Sequence, residues 1–326
     1  MFSHIIGHKN ITSFLEKSLK NGEISHAYLF YGPACLGKKT VAEKFSESIL
    51  GRPILNHPDV YLVGRERKEK EEKMAKNISI EQVRELERKL SLTSFLNSYK
   101  IGIIEEAETL SAEAANSLLK TLEEPTAKTV IILLSTSVSA LPATIVSRCQ
   151  TLKFLPVAKE VIYDRLIELG ASRDEARDLA GISWGKPGVA FDFWQNKNEE
   201  GKDSAVAEYE EGVQDILDLM RAETMHGRMK VFDEVLGKDS VTEDLVGSLN
   251  QILALWNSIL RDAVLLRHGC PELVANAKFS EEIKKVSGKF GADFFPRMHH
   301  EIRLAGKYVG ENLNPRLVLE NLMLSF

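Results

Sequence analysis

Apolar and polar positions follow two rhythms in this chain, one in its first half and one in its second. Ile11, Phe14, Leu15 and Leu19 recur at three- and four-residue spacing, which predicts an amphipathic helix over 9–20. Residues 26–31 form a short apolar run that closes on Gly32, the pattern of a buried strand entering a tight loop. Val41, Ala42, Phe45 and Ile49 then predict a helix over 38–50, and 60–63 reads as a second strand. Val83, Leu86 and Leu90 form the inner face of a helix over 77–92, entered after Ser79. A third strand over 100–104 ends in two acids, Glu105 and Glu106. Ser111 caps the next helix, with Glu113 in its first turn favourable to the helix dipole. Ala115, Leu118, Leu119 and Leu122 make its apolar stripe, and Pro125 stops it. The β-branched run 129–134 is a fourth strand and 151–154 a fifth.

Strands alternating with helices imply an α/β domain, a parallel sheet with helices on both faces, over 1–156. Beyond Pro156 the strand-like runs stop and helical periodicity takes over. Residues 157–200 read as a small helical domain and 205–326 as a second, all-α domain with a strongly apolar segment at 245–266. The polar, glycine-containing stretch 196–204 reads as the linker between them. Residues 65–76 mix both charge signs densely, as a solvated loop or exposed helix does. No internal repeat is present.

Charge and cysteine content narrow the classes. A net charge of −5 excludes a protein that grips nucleic acid through its overall field; contact with DNA would need a local patch. The sequence shows no basic stripe with interleaved aromatics, and Arg84 and Lys100 are only loose candidates for such a patch. Three widely spaced cysteines, Cys35, Cys149 and Cys270, fit a reducing cytoplasm better than a disulfide framework and form no Cys-x-x-Cys zinc pair. The N-terminal residues lack the pattern of a signal peptide, and no apolar run reaches the roughly 20 residues that span a bilayer. The expectation is a cytoplasmic protein without zinc or membrane attachment.

Two motifs carry chemistry. Gly32-x-x-x-x-Gly37-Lys38, after a strand and before a helix, has the context of a phosphate loop. Its glycines let the backbone close around phosphates, and Lys38 would reach the outer ones. The next position normally offers a Ser or Thr hydroxyl to Mg²⁺; here it is Lys39, whose ammonium cannot ligate a cation. Thr40 lies about 100° further around the helix, a doubtful substitute. Both a site for ATP or ADP, with Mg²⁺, and a loop kept for its fold remain open. Glu105 and Glu106 stand at a strand end where such ATPases place a metal-coordinating Asp and a catalytic Glu, although Glu105 is one methylene longer than Asp.

The order of motifs along 1–155 resembles one family. Ile5-Ile6-Gly7-His8, the run from His26 to Pro33, Asn56-His57-Pro58-Asp59-Val60, and Ile80 to Leu86 appear in turn. They are followed by the segment 116–125, Leu141-Pro142-Ala143-Thr144-Ile145 and Ser147-Arg148-Cys149-Gln150. Together they are similar to the clamp-loader subunits of DNA polymerase III, an AAA+ family, and most of all to its delta-prime branch. Weaker similarity continues through Gly185 to Ala190 and through 314–322, which reads as part of the family's ring-forming collar.

The resemblance implies roles for particular residues. Arg148 would be an arginine finger, reaching in trans to the ATP of a neighbouring subunit, although an Arg between loop residues is ordinarily a surface ion-pair former. Thr136 stands where the family carries a polar sensor of the γ-phosphate. The motor subunits carry an arginine in a Gly-x-x-Arg segment that senses their own nucleotide; here Gly185-Lys186-Pro187-Gly188 puts Gly188 in its place. The family's four-cysteine zinc module is missing, with only 51–55 in its position, and His57 reads as a structural residue. With Lys39, Glu105 and Gly188 all departing from the motor pattern, the resemblance implies a ring subunit without efficient ATPase activity of its own. Its implied partners are motor (gamma/tau) and delta subunits and, through the complex, a sliding clamp and primer-template DNA. An active motor-type ATPase is the alternative, and an AAA+ regulatory module outside replication a third.

Overall fold

The computed structural model describes residues 2, 4–66, 75–95, 98–200, 204–231, 245–310 and 313–325. The described residues divide into two compact units. The first comprises Met1–Arg165 with Gly185–Val189, and the second Leu166–Trp184 with Ala190–Phe326. Most of the charge-dense stretch 65–76 and part of the 196–204 linker lie outside the described residues.

In the first unit five strands, β1 (Ala27–Tyr31), β2 (Val60–Val63), β3 (Lys100–Ile104), β4 (Thr129–Ser135) and β5 (Gln150–Lys153), form one sheet in the order β2-β3-β4-β1-β5. Every pairing is parallel. Strand polarity sorts side chains by period two onto opposite faces. Tyr28, Phe30, Ile101, Ile103, Val130 and Ile132 pack with Leu15 of α1 (Lys9–Asn21) and Val41, Ala42 and Phe45 of α2 (Lys38–Leu50). Ala27, Leu29, Ile104, Ile131 and Leu133 pack with Val83, Leu86 and Leu90 of α3 (Ile80–Ser91) and Leu118 and Leu122 of α4 (Ala112–Glu123). Because both faces of the central strands are covered, β1, β3 and β4 are largely apolar, whereas the edge strand β5 exposes Gln150, Thr151 and Lys153. At Gly102 a Cβ would stand 3.1 Å from Leu86 Cδ1, so the missing side chain admits the α3 leucines.

Local chemistry sets the helix ends. Ser79 and Gln82 form a reciprocal capping box at the start of α3, and the Ser111 hydroxyl accepts from Ala114 N–H at the start of α4. Pro125 comes two residues after the end of α4, just past its C-cap Glu124. At the other end of α3, the buried Lys100 ammonium donates to the carbonyls of Leu90 and Leu92, the latter at 2.7 Å. That use of Lys100 removes it as a DNA-contacting candidate; Arg84 is exposed on α3.

Beyond Lys153 the described residues form helices and connecting segments, with no strand among them. α5 (Ala143–Val146) precedes β5, and α6 (Lys159–Glu168), α7 (Arg173–Ile182), α8 (Pro187–Glu200) and α9 (Ser204–Arg221) follow it. α8 runs through 196–200, the stretch read as linker, because Asn, Lys and Glu are tolerated in helices and the first breaker is Gly201. The second unit is built around helix Leu245–Arg267, whose Leu253, Trp256, Ile259 and Leu260 pack with Val213 and Leu217 of α9 and with Met298, Ile302 and Leu319. Among the described residues no helix is long and apolar enough to cross a membrane.

Candidate functional site

The site forms at the carboxyl ends of β1, β3 and β4, where parallel sheets of this kind open their crevice. β1 ends at Tyr31, and the loop 32–37 leads into α2. Gly32 has φ 145°, and a Cβ there would stand 2.3 Å from the carbonyl oxygen of Phe154. Its N–H donates to Ser135 O at 3.2 Å, which ties the loop's entry to the end of β4. Gly37, with φ 84°, closes the loop and begins α2. The His8 ring, 4.8 Å from that of Phe154, bonds through Nε2 to Leu36 O at 2.9 Å.

Lys38 folds back over the loop. Its Nζ donates to the carbonyls of Gly32, at 2.6 Å, and Pro33, at 2.7 Å. Burial pulls its pKa down, and the nearby Glu108 carboxylate works against that. Lys39 points elsewhere: its Nζ lies 2.7 Å from Glu105 Oε1, and that bond raises the lysine's pKa. Thr40 is exposed. Glu43, one turn along α2, has its pKa raised by burial, opposed by Lys39 and assisted by Glu105.

Glu106 is engaged as well. It occupies the left-handed region, with φ 48°, and its carboxylate takes a two-point contact from Arg65, including Nη2–H to Oε1 at 2.9 Å. Thr136, just past the end of β4, gives both its donors to Glu108 Oε1, the amide N–H at 3.1 Å and the hydroxyl at 2.6 Å. The second oxygen, Oε2, is buried without a hydrogen-bond partner. Burial works to raise the Glu108 pKa, but bonds from Thr136, the backbone and Ser135 outweigh it and hold the carboxyl below its ordinary value.

The expected sensing position is filled by backbone. Gly188, in the first turn of α8, donates its N–H to Cys35 O at 2.9 Å. A Cβ at Gly188 would lie 3.0–3.2 Å from three atoms of Cys35. Gly185 holds the approach in place: it has φ 71°, and its carbonyl accepts from Val157 N–H at 2.8 Å.

Arg148 stands apart from this cluster. It follows α5, is 35% exposed, and pairs with Glu123 Oε1, the last residue of α4, at 2.7 Å. Its Nη1 donates to Thr144 O at 2.9 Å. Beside it, burial pushes the Cys149 thiol up to about 12. His57, read as structural, accepts from Asp59 N–H through Nδ1 at 3.2 Å.

The structure thus gathers Gly32, Gly37, Lys38, Lys39, Glu105, Glu106 and Thr136 into one region and leaves Arg148 outside it, just past α5. Sequence reasoning missed Arg65 and Glu108. Glu108 lies three residues after Glu105, at a spacing that returns it to the strand end across the short turn Ala107–Thr109. That spacing was the available signal. For Arg65, inside a run of mixed charge, there was none.

The loop, with its glycines and Lys38, fits a phosphate group. The Lys39–Glu105 pair does not fit a divalent cation, because the Lys39 ammonium cannot ligate one and already engages the Glu105 carboxylate at 2.7 Å.

Residues 7–158 match the family model described as DNA polymerase III, delta subunit. The DNA polymerase III subunit delta' of Bacillus subtilis is 34% identical over 189 residues, covering 53% of this chain and 55% of that protein. The subunit delta' of Pseudomonas aeruginosa is 34% identical over 212 residues, covering 59% and 62%. The subunit tau of Bacillus subtilis is 28% identical over 270 residues, covering 77% and 43%. The chain therefore spans less than two thirds of each of these relatives.

Proposed function

We propose, from its similarity to DNA polymerase III delta' subunits, that the chain is a member of the clamp-loader family and serves as a delta-prime-type subunit of the bacterial loader. In this reading it hydrolyses little ATP itself. It lends Arg148 to the ATP site of a neighbouring motor subunit of the gamma/tau type. A delta subunit completes the ring, and the assembly places a sliding clamp on primer-template DNA in the cytoplasm.

The observation that carries the reading is the state of Arg148. Its guanidinium is 35% exposed, pairs with the surface carboxylate of Glu123, and donates to Thr144 O and Ser147 Oγ. An exposed pair of this kind contributes only about 0–1 kcal/mol, so the guanidinium is released cheaply to a stronger anion. A planar fork set against a phosphoryl group as its negative charge builds adds about 10³–10⁵ in rate. The chain's own loop supports the same reading. Lys39 holds Glu105, Arg65 holds Glu106, and Gly188 brings no cation to Cys35.

The test is ATP turnover by the chain alone and by the chain assembled with its motor subunit, clamp and primed DNA, with wild type and Arg148→Ala. The expected result is negligible turnover alone, and a complex slowed about tenfold or more by Arg148→Ala. Robust turnover by the isolated chain would instead make it a motor, the alternative for which similarity to the tau subunit speaks.

A further inference from the structure

The two positions that ordinarily share a divalent cation in a phosphate loop are the residue after the loop lysine and the first acid beyond the third strand. In this chain they are Lys39 and Glu105, and they already meet, Nζ to Oε1, at 2.7 Å. We propose that the Lys39 ammonium is a built-in replacement for that metal, so that a nucleoside di- or triphosphate binds this loop without a divalent cation.

Three observations carry this. First, Lys39 is 52% exposed and its ammonium pairs with Glu105 at the end of β3, so it stands beside the carboxylate a metal would need while still reaching solvent. An Mg²⁺ brought to Glu105 would have to displace a unit positive charge or remain beside it, which Coulomb repulsion opposes. Second, the phosphate-binding parts are intact. Gly32 and Gly37 keep positive φ, and the hydrogen bonds of Lys38 go to two carbonyl oxygens, a pairing that a phosphate's negative charge outcompetes. Third, Glu106 is held by Arg65, and Glu108 takes Thr136 through Oε1. Glu43, one turn along α2, is a second carboxylate near Lys39, and its charge adds to that of Glu105 in favouring the ammonium there.

This goes beyond the trans-acting role, which needs no nucleotide in this loop. The experiment uses the purified full chain and fluorescent ADP and ATP analogues, titrated in excess EDTA and in millimolar Mg²⁺. Saturable binding is expected in EDTA, with affinity changed less than about threefold by Mg²⁺. Lys39→Met, which keeps the stem and removes the charge, weakens binding in EDTA about tenfold. Lys39→Thr restores a hydroxyl, and its binding becomes about tenfold tighter with Mg²⁺ than without. Lys39 is half exposed, so both variants keep the fold, as circular dichroism verifies. No saturable binding by wild type in EDTA, or tightening by Mg²⁺ of about tenfold or more, overturns the proposal. Neither result touches the Arg148 reading, which is decided on the assembled complex.

Discussion

Both donors of Thr136 converge on one oxygen of Glu108, the amide at 3.1 Å and the hydroxyl at 2.6 Å. The pair joins the end of β4 to the turn after β3, and its acceptor is a carboxylate. Hydrogen bonds to a charged group contribute about 1.5–3 kcal/mol when well shielded. This pair is partly solvated, so Glu108→Gln is expected to destabilise the first unit by roughly 1 kcal/mol at neutral pH. The carboxyl titrates below its ordinary value of 4.5 in the folded chain. Its contribution is therefore complete above that value and is lost as pH falls through the lower folded value. Denaturant melts at neutral pH and near the acid limit of folding check this. The gap between wild type and Glu108→Gln must shrink on acidification; an unchanged gap refutes the role of the ionised carboxylate.

Gly188 and Cys35 meet backbone to backbone, and that closeness yields a second prediction. In Gly188→Ala the new Cβ would stand 3.0–3.2 Å from Cys35 atoms. Either the first turn of α8 or the phosphate loop must shift, and overpacking of this kind costs about 1–3 kcal/mol. The N–H bond to Cys35 O would lengthen with it. Faster modification of the exposed Cys35 thiol, followed by mass mapping, is the readout. Unchanged stability and unchanged Cys35 reactivity would show that the contact is loose.

The parts of this site that were legible in the sequence are those fixed within a few residues of one another. Ser79 with Gln82 and Ser111 with Ala114 are local caps, readable from spacing. The central strands could be read because burial on both faces leaves a nearly uninterrupted apolar run. The Lys39 anomaly could be read because the loop's grammar assigns each position a task. Partner choice was not legible. Nothing in the order of residues says that Arg65 at the end of β2 takes Glu106, or that Thr136 takes Glu108 across 28 residues of chain. Those pairings arise when β2, β3 and β4 come side by side. Lys100 shows the same limit: its charge suggested a surface, yet it is buried and spent on the last carbonyls of α3.

In the second unit, Asp262 is fully buried on helix Leu245–Arg267 and holds a neighbouring turn. It accepts from Ala275 N–H at 3.1 Å, Asn276 N–H at 2.8 Å and Asn276 Nδ2 at 2.7 Å. Asn276 in turn accepts from the Tyr209 hydroxyl at 2.7 Å and donates to Ser258 at 2.9 Å. Asp262→Ala would strand several buried donors at once, at a cost of roughly 3 kcal/mol. All three tryptophans, Trp184, Trp194 and Trp256, lie in this unit, so their fluorescence in urea follows its unfolding selectively. A midpoint that does not move would mean water replaces the carboxylate.

Glu123 competes with any partner for Arg148. The 2.7 Å pair leaves Glu123 50% exposed and Arg148 35% exposed, and pairs of that kind change stability by less than about 1 kcal/mol. Glu123→Gln is therefore expected to leave the melting of the isolated chain nearly unchanged. If Arg148 must leave Glu123 to meet a phosphate on a neighbouring subunit, removing the carboxylate's charge lowers the cost of that departure. The assembled complex should then turn over ATP as fast as wild type or up to severalfold faster, and the gain should vanish in the Glu123→Gln, Arg148→Ala double variant. A fall in rate with Glu123→Gln alone would mean the opposite. The carboxylate would then aim the guanidinium at its target, as a positioning partner, and Arg148 would act with Glu123 still attached.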